Sequence, residues 1–366
     1  MVRRLCAGVL AAVVVLLLTA RPAAADKVRD QEWHLAALGI RQAQGISQGD
    51  GVVVAVLDTG VDAQHAELSG AVLPGRGFGE GNTTDGRTDS VGHGTAMAGL
   101  IAGRGLPNGG GVLGVAPKAM ILPGQVLRGE SKSAGTGISD GIDWAVEHGA
   151  KVINLSLDVG EDPQIRQAVE RALQADVVVV AGVGNTTDRS GVAFPASVPG
   201  VVAVGGTDRN GDHASVSVTG PEMVIAAPAV DVVSTRPQGK YGVGYGTSDA
   251  TAIVAGVVAL VRAKYPNLSG PEVVHRVTAT ATDKGKPGRD DEYGFGIVNP
   301  VAALTADVPP ATESSAAPAV TAAPSGAAGG GGSSGTPVKV GAIAAGGAAL
   351  VLVVGLVLWR TARGRR

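Results

Sequence analysis

The stretch Val52-Val53-Val54-Ala55-Val56-Leu57-Asp58-Thr59-Gly60 decides the fold class. Its apolar run is rich in Val and shows no polar alternation, which predicts a strand buried on both faces, as in a sheet covered by helices on each side. A carboxylate follows directly, at the end of a strand that would hold it rigidly. The same signature returns at Val152 to Leu155, Val177 to Ala181 and Val201 to Val204. Helical segments with start signals lie between and after these runs. Asp162-Pro163 supplies an N-cap and a first-turn Pro for a helix through Leu173, Ser269-Gly270-Pro271-Glu272 forms a capping box, and Asn299-Pro300 precedes Val301 to Leu304. Strands alternating with helices predict an α/β fold with a doubly wound, mainly parallel sheet and helices on both faces.

Two further segments carry chemistry. Gly92-His93-Gly94-Thr95-Ala96-Met97-Ala98-Gly99 places a His at the opening of a small-residue helix. Tyr245-Gly246-Thr247-Ser248 places a Ser at the entry to a helix expected from Asp249 to Lys264. A serine hydroxyl is a weak nucleophile until an imidazole takes its proton, and a carboxylate fixes the tautomer of that imidazole and stabilises its cation. Asp58, His93 and Ser248 are the three groups this chemistry needs. Asp-Thr-Gly after an apolar strand is also the mark of proteases that use two carboxylates, but no second Asp-Thr-Gly or Asp-Ser-Gly occurs. The other histidines, His34, His65, His148, His213 and His275, show no metal-site spacing and read as surface or helix residues. Gly109-Gly110-Gly111 is followed by no Gly-Lys-Ser/Thr and reads as a flexible surface turn.

These segments, in the chain order Asp, His, Ser, resemble the subtilases, the family of subtilisin. The resemblance covers most of the body of the chain and implies a subtilisin-like fold and a serine-type endopeptidase acting on protein or peptide substrates. It gives Asp58, His93 and Ser248 the catalytic roles. Ala181-Gly182-Val183-Gly184-Asn185 is similar to the segment that supplies the side-chain amide of the oxyanion hole, which falls to Asn185. Ser156, Leu157, Asp158 and Gly184 take substrate-binding positions by the same likeness. No cofactor is required, although subtilases often hold calcium through loop carbonyls and carboxylates. Within the family the architecture resembles the mycosins, membrane-anchored proteases associated with type VII secretion in actinobacteria. Three positions depart from the family pattern: after the nucleophile, Asp249 stands where Met is usual and Ala252 where Pro is usual, and Asp158 stands where Gly is common.

The ends of the chain read differently from its body. Arg3 and Arg4, an apolar run from Cys6 to Leu18 and Ala23-Ala24-Ala25 predict a secretory signal over residues 1–25. Residues 26–305 form the expected peptidase domain, opened by a short lead-in that contains Asp30-Gln31-Glu32-Trp33-His34-Leu35. Residues 306–337, rich in Pro, Ala, Thr, Ser and Gly, read as a stalk that buries too little apolar surface to fold. Residues 338–359 predict a transmembrane helix, since about 20 apolar residues at ~1.5 Å each cross a ~30 Å hydrocarbon layer. Arg360, Arg363, Arg365 and Arg366 make residues 360–366 a basic tail on the cytoplasmic side, which leaves the peptidase domain outside the cell membrane.

Composition narrows the partners. The chain has 366 residues and a formal net charge of -2, with no basic block in the body, so nucleic acid is not an expected partner. Its single Cys6 lies in the expected signal and offers neither a disulfide nor a Cys-based metal site to the mature chain. Three roles fit the anchor: an endopeptidase processing exported proteins beside a type VII secretion complex, a structural or gating component of such a complex, or an anchored general protease.

Overall fold

The computed structural model describes residues 23–128 and 135–310 of the chain. The expected transmembrane helix and basic tail, the expected stalk from residue 311 and most of the expected signal lie outside the described residues. Among the described residues no helix is long and apolar enough to cross a membrane.

Seven strands form one sheet: β1 (Val53–Asp58), β2 (Arg76–Gly77), β3 (Met120–Gln125), β4 (Val152–Leu155), β5 (Val178–Gly182), β6 (Val202–Thr207) and β7 (Ile225–Pro228). Their spatial order is β2-β3-β1-β4-β5-β6-β7, and every pairing is parallel. The four strands expected from their Val-rich runs are β1, β4, β5 and β6, each within one residue at its start. Alternate residues divide between two cores, as the period of two requires. Val54, Val56, Val152, Val180 and Val204 point into one, while Ala55, Leu57, Ile153, Val179 and Ala203 point into the other.

The first core receives α4 (His93–Ala102) and α7 (Thr247–Lys264), and the second receives α5 (Gly135–Glu147) and α6 (Pro163–Gln174). The Asp162 side chain accepts from the Gln164 and Ile165 N–H groups, so α6 starts as its cap predicts. The capping box at Ser269 opens α8 (Gly270–Ala279), and Asn299 caps α9 (Pro300–Thr305). α7 begins two residues before the expected Asp249, and it is buried on all faces from Ala250 to Val261, which explains why it lacks a polar stripe.

A two-stranded antiparallel hairpin, β8 (Val230–Arg236) and β9 (Lys240–Tyr245), delivers the chain to α7. The lead-in forms α1 (Ala23–Gln31), α2 (Trp33–Ala37) and α3 (Ile40–Gln44), and it docks on the body. Leu35, Ile40 and Ala43 join the first core. Arg29 donates to the Gly110 and Gly111 carbonyls (3.2 and 2.9 Å), and Trp33 Nε1 donates to the Val230 and Asp231 carbonyls (3.2 and 3.1 Å). The Gly109-Gly110-Gly111 segment is therefore not a free surface turn, because two of its carbonyls are acceptors for the lead-in. His34 is the helix residue expected, although it is buried within α2, whereas His65 is neither a surface nor an α-helical residue and is buried against Glu67 at 2.8 Å.

Candidate active site

The strand order runs out in both directions from β1, and in an open α/β sheet such a switch leaves a crevice at the carboxyl ends of the strands. Asp58 ends β1, Ser156 to Asp158 follow β4, and Gly184 and Asn185 follow β5. His93 opens α4, and Ser248 lies in the first turn of α7. The structure thus brings every expected site residue to this crevice. A cleft of about 400 Å³ is lined by His93, Ser248, Asn185, Ser156, Leu157, Asp158 and Gly184, with Asp58 directly behind His93.

Asp58 is fully buried, and its carboxylate accepts from the Thr59 N–H at 2.7 Å. His93 Nδ1 lies 2.8 and 2.9 Å from the two Asp58 oxygens. A carboxylate only accepts, so this contact places the ring proton on Nδ1 and leaves Nε2 as the basic nitrogen. Burial lowers the pKa of His93, but the charge and hydrogen bond of Asp58, helped by Asp249, outweigh it and push the ring up to about 8. Gly94 allows this approach, since a Cβ there would meet the Gly60 carbonyl oxygen and come within 3.1 Å of Asp58 Cβ.

Ser248 and Asn185 are fixed by bonds between elements. Asn185 Oδ1 accepts from the Thr247 N–H at 3.1 Å, which leaves Nδ2 as the donor of that amide. Ser156 Oγ donates to the Ser248 carbonyl at 3.1 Å and accepts from Asn154 Nδ2 at 3.0 Å. In the first turn of α7 the Thr247 N–H is taken by Asn185 and the Asp249 N–H by the Gly246 carbonyl (3.2 Å), while the Ser248 N–H, between them, lies at a helix start that favours negative charge.

Three residues that the sequence reading left without a role shape the site. Asp89 accepts from the Gly92 N–H (2.7 Å), the Thr95 N–H (3.0 Å), Thr95 Oγ (2.7 Å) and Thr59 Oγ (3.0 Å). It ties the start of α4 to the loop after β1 and so holds His93 against Asp58. The signal for it was an Asp shortly before a helix start. Arg236 lines the cleft, with Nη1 3.3 Å from the Gly92 carbonyl. Arg189, on the turn that Asn185 begins, makes a 2.6 Å ion pair with Asp158.

Asp249 is 4% exposed. Burial pushes its pKa up to about 7 against the opposing charges of His93 and Arg236. It packs on the backbone of β9: a Cβ at Gly244 would lie 2.5 Å from the Asp249 carboxyl carbon. Among the described residues no three His, Cys, Asp or Glu side chains are grouped to hold a metal ion.

Known proteins with this architecture were found by sequence and by structure. Residues 49–296 match the subtilase family, peptidase family S8. Subtilisin DY of Bacillus licheniformis is 40% identical over 266 residues, which is 72% of this chain and 93% of that protein. A crystal structure of MycP1 from Mycobacterium smegmatis matches with a TM-score of 0.68 at 28% identity, covering 77% of this chain and 86% of that one. The MycP3 protease from the type VII (ESX-3) secretion system matches with a TM-score of 0.65 at 32% identity, over 75% and 88% of the two chains.

Proposed function

The chain belongs to the subtilase family of serine proteases, and from that premise we propose that it cleaves exported proteins with an Asp58, His93, Ser248 triad at the outer face of a membrane. One observation carries the catalytic part: the Asp58 and His93 pair faces a cleft that Ser248 and Asn185 also line. In this reaction Ser248 Oγ attacks the substrate carbonyl carbon, and its proton passes to His93 Nε2. The carbonyl oxygen becomes an oxyanion held by Asn185 Nδ2 and the Ser248 backbone N–H at the start of α7. The protonated His93, stabilised by Asp58, gives the proton to the leaving amine as the C–N bond breaks. Water then repeats the sequence on the acyl-enzyme and releases the acid. All of these groups come from this chain, so the proposed reaction uses no cofactor.

The location is proposed from the sequence alone: the signal expected at residues 1–25, the apolar run at 338–359 and the arginine-rich tail at 360–366. The likeness to the MycP3 protease of a type VII secretion system supports a place beside such a complex. Replacement Ser248→Ala tests the chemistry. Hydrolysis should fall on the order of 10⁶-fold, as it does when subtilisin loses its nucleophile. Labelling by a fluorophosphonate should vanish, and retained labelling would refute the assignment. Comparing that variant with a deletion strain tests the setting, because export lost only in the deletion would give the chain a scaffolding role as well.

A further inference from the structure

We propose that the Asp158 and Arg189 ion pair sets the specificity of the cleft, closing the pocket beside Ser248 to all but small uncharged side chains on the acyl side of the scissile bond. The proposal rests on the protease reading above. Asp158 belongs to the wall that follows β4, and Arg189 to the turn that follows β5, so the pair bridges two separate walls. These walls flank the nucleophile: Ser156 Oγ is bonded to the Ser248 carbonyl, and Asn185 Oδ1 to the Thr247 N–H. A substrate carbonyl presented to Ser248 and Asn185 therefore directs its acyl-side side chain between them.

The Arg189 side chain is held in place along its length. The Arg189 N–H donates to the Asn185 carbonyl at 3.2 Å, which ties the arginine to the amide of the oxyanion site. Its stem lies on Gly184, where φ is +98° and an added Cβ would come within 2.8 Å of Arg189 Cδ. Its Nη1 then reaches Asp158 Oδ1 at 2.6 Å, while Nε is buried without a hydrogen-bond partner among the described residues. The two side chains are 30% and 22% exposed, so the bridge is partly withdrawn from water. A large side chain entering the pocket must part this pair and leave both charges without their best partner. A small one need not.

The charges make the proposal directional. Removing Arg189 leaves the Asp158 carboxylate to receive a cationic side chain, and removing Asp158 leaves the guanidinium to receive an anionic one. The test uses the purified full-length chain and peptides that differ only in the residue before the scissile bond: Ala, Leu, Phe, Lys or Glu. The wild type should prefer Ala. Arg189→Ala should raise kcat/KM for Lys relative to Ala by roughly 10- to 100-fold, the scale of one hydrogen bond to a charged group. Asp158→Ala should do the same for Glu. The exchanged variant D158R/R189D should restore the preference for Ala, and fluorophosphonate labelling of Ser248 confirms in each case that the site is folded. Unchanged rankings in variants that still label would overturn the proposal, and so would a wild type that prefers Phe or Lys. A wild type that takes no label would instead sink the protease reading itself.

Discussion

His34 offers a sharp energetic test of how the lead-in is held. The ring is fully buried in α2, and neither nitrogen has a hydrogen-bond partner among the described residues. Burial without a partner disfavours the imidazolium and pulls the pKa from 6.5 down to about 3. The folded chain therefore keeps His34 neutral at pH values where the unfolded chain protonates it. The stability from this group is fully present above pH 6.5 and is lost as pH falls from 6.5 towards 3. Each pH unit in that window is worth about 1.36 kcal/mol, so the loss is about 2 kcal/mol at pH 5 and approaches about 5 kcal/mol at pH 3. The perturbation is His34→Leu, which keeps an apolar group of similar bulk and removes the titration. Guanidinium unfolding of both chains in a Ser248→Ala background, which prevents self-digestion, should be followed from pH 8 to pH 4. The leucine variant should gain on its parent by about 1.36 kcal/mol per unit below pH 6.5. Subtracting the curves removes other groups, including Glu32, whose pKa burial pushes up to about 8 and which therefore stabilises towards low pH. A difference that stays flat with pH would refute the reasoning.

Three other outcomes test the site. Asp249→Asn removes a negative charge that helps keep the His93 ring up at about 8, so the acid limb of kcat/KM should move to lower pH, and an unmoved limb would show that Asp249 does not act on the base. Gly244→Ala should cost roughly 1–3 kcal/mol by overpacking, and Asp249→Ala in the same chain should recover most of it, because the Asp249 carboxylate is what the new methyl meets. Asn185→Ala should lower kcat by roughly 10²–10³ with little change in KM, and a loss confined to KM would mean that Asn185 binds substrate rather than the oxyanion.

Local features were the legible ones. The Val-rich strands, the caps at Asp162, Ser269 and Asn299, and the three segments around Asp58, His93 and Ser248 each declare themselves within about ten residues, because they depend on periodicity or backbone chemistry along the chain. β3 and β7 did not. Pro123 and Gly124 interrupt β3, and Pro228 ends β7, so neither reads as a strand until its parallel neighbours are known. α5 was hidden by glycines that its packing demands: a Cβ at Gly141 would come within 2.7 Å of Val126 Cγ1. Glycine lowers helix propensity for the same reason that it permits the close approach.

Relations between distant segments that no motif declares could not be read, and they decide what the site does beyond its basic chemistry. His34 looks like an ordinary helix residue until the body covers it, and Gly110 and Gly111 look like a free turn until Arg29 reaches their carbonyls. Asp158 and Arg189 are single charges in unrelated segments until β4 and β5 are laid side by side. Attack, proton transfer and oxyanion binding need residue types that an order of Asp, His and Ser already declares. Selectivity depends instead on which charges face each other across the cleft, a property of the strand order. Two chains with the same three catalytic segments can therefore share a reaction and differ in what they cut. In this chain the proposed source of that difference is the ion pair between Asp158, which lines the cleft, and Arg189.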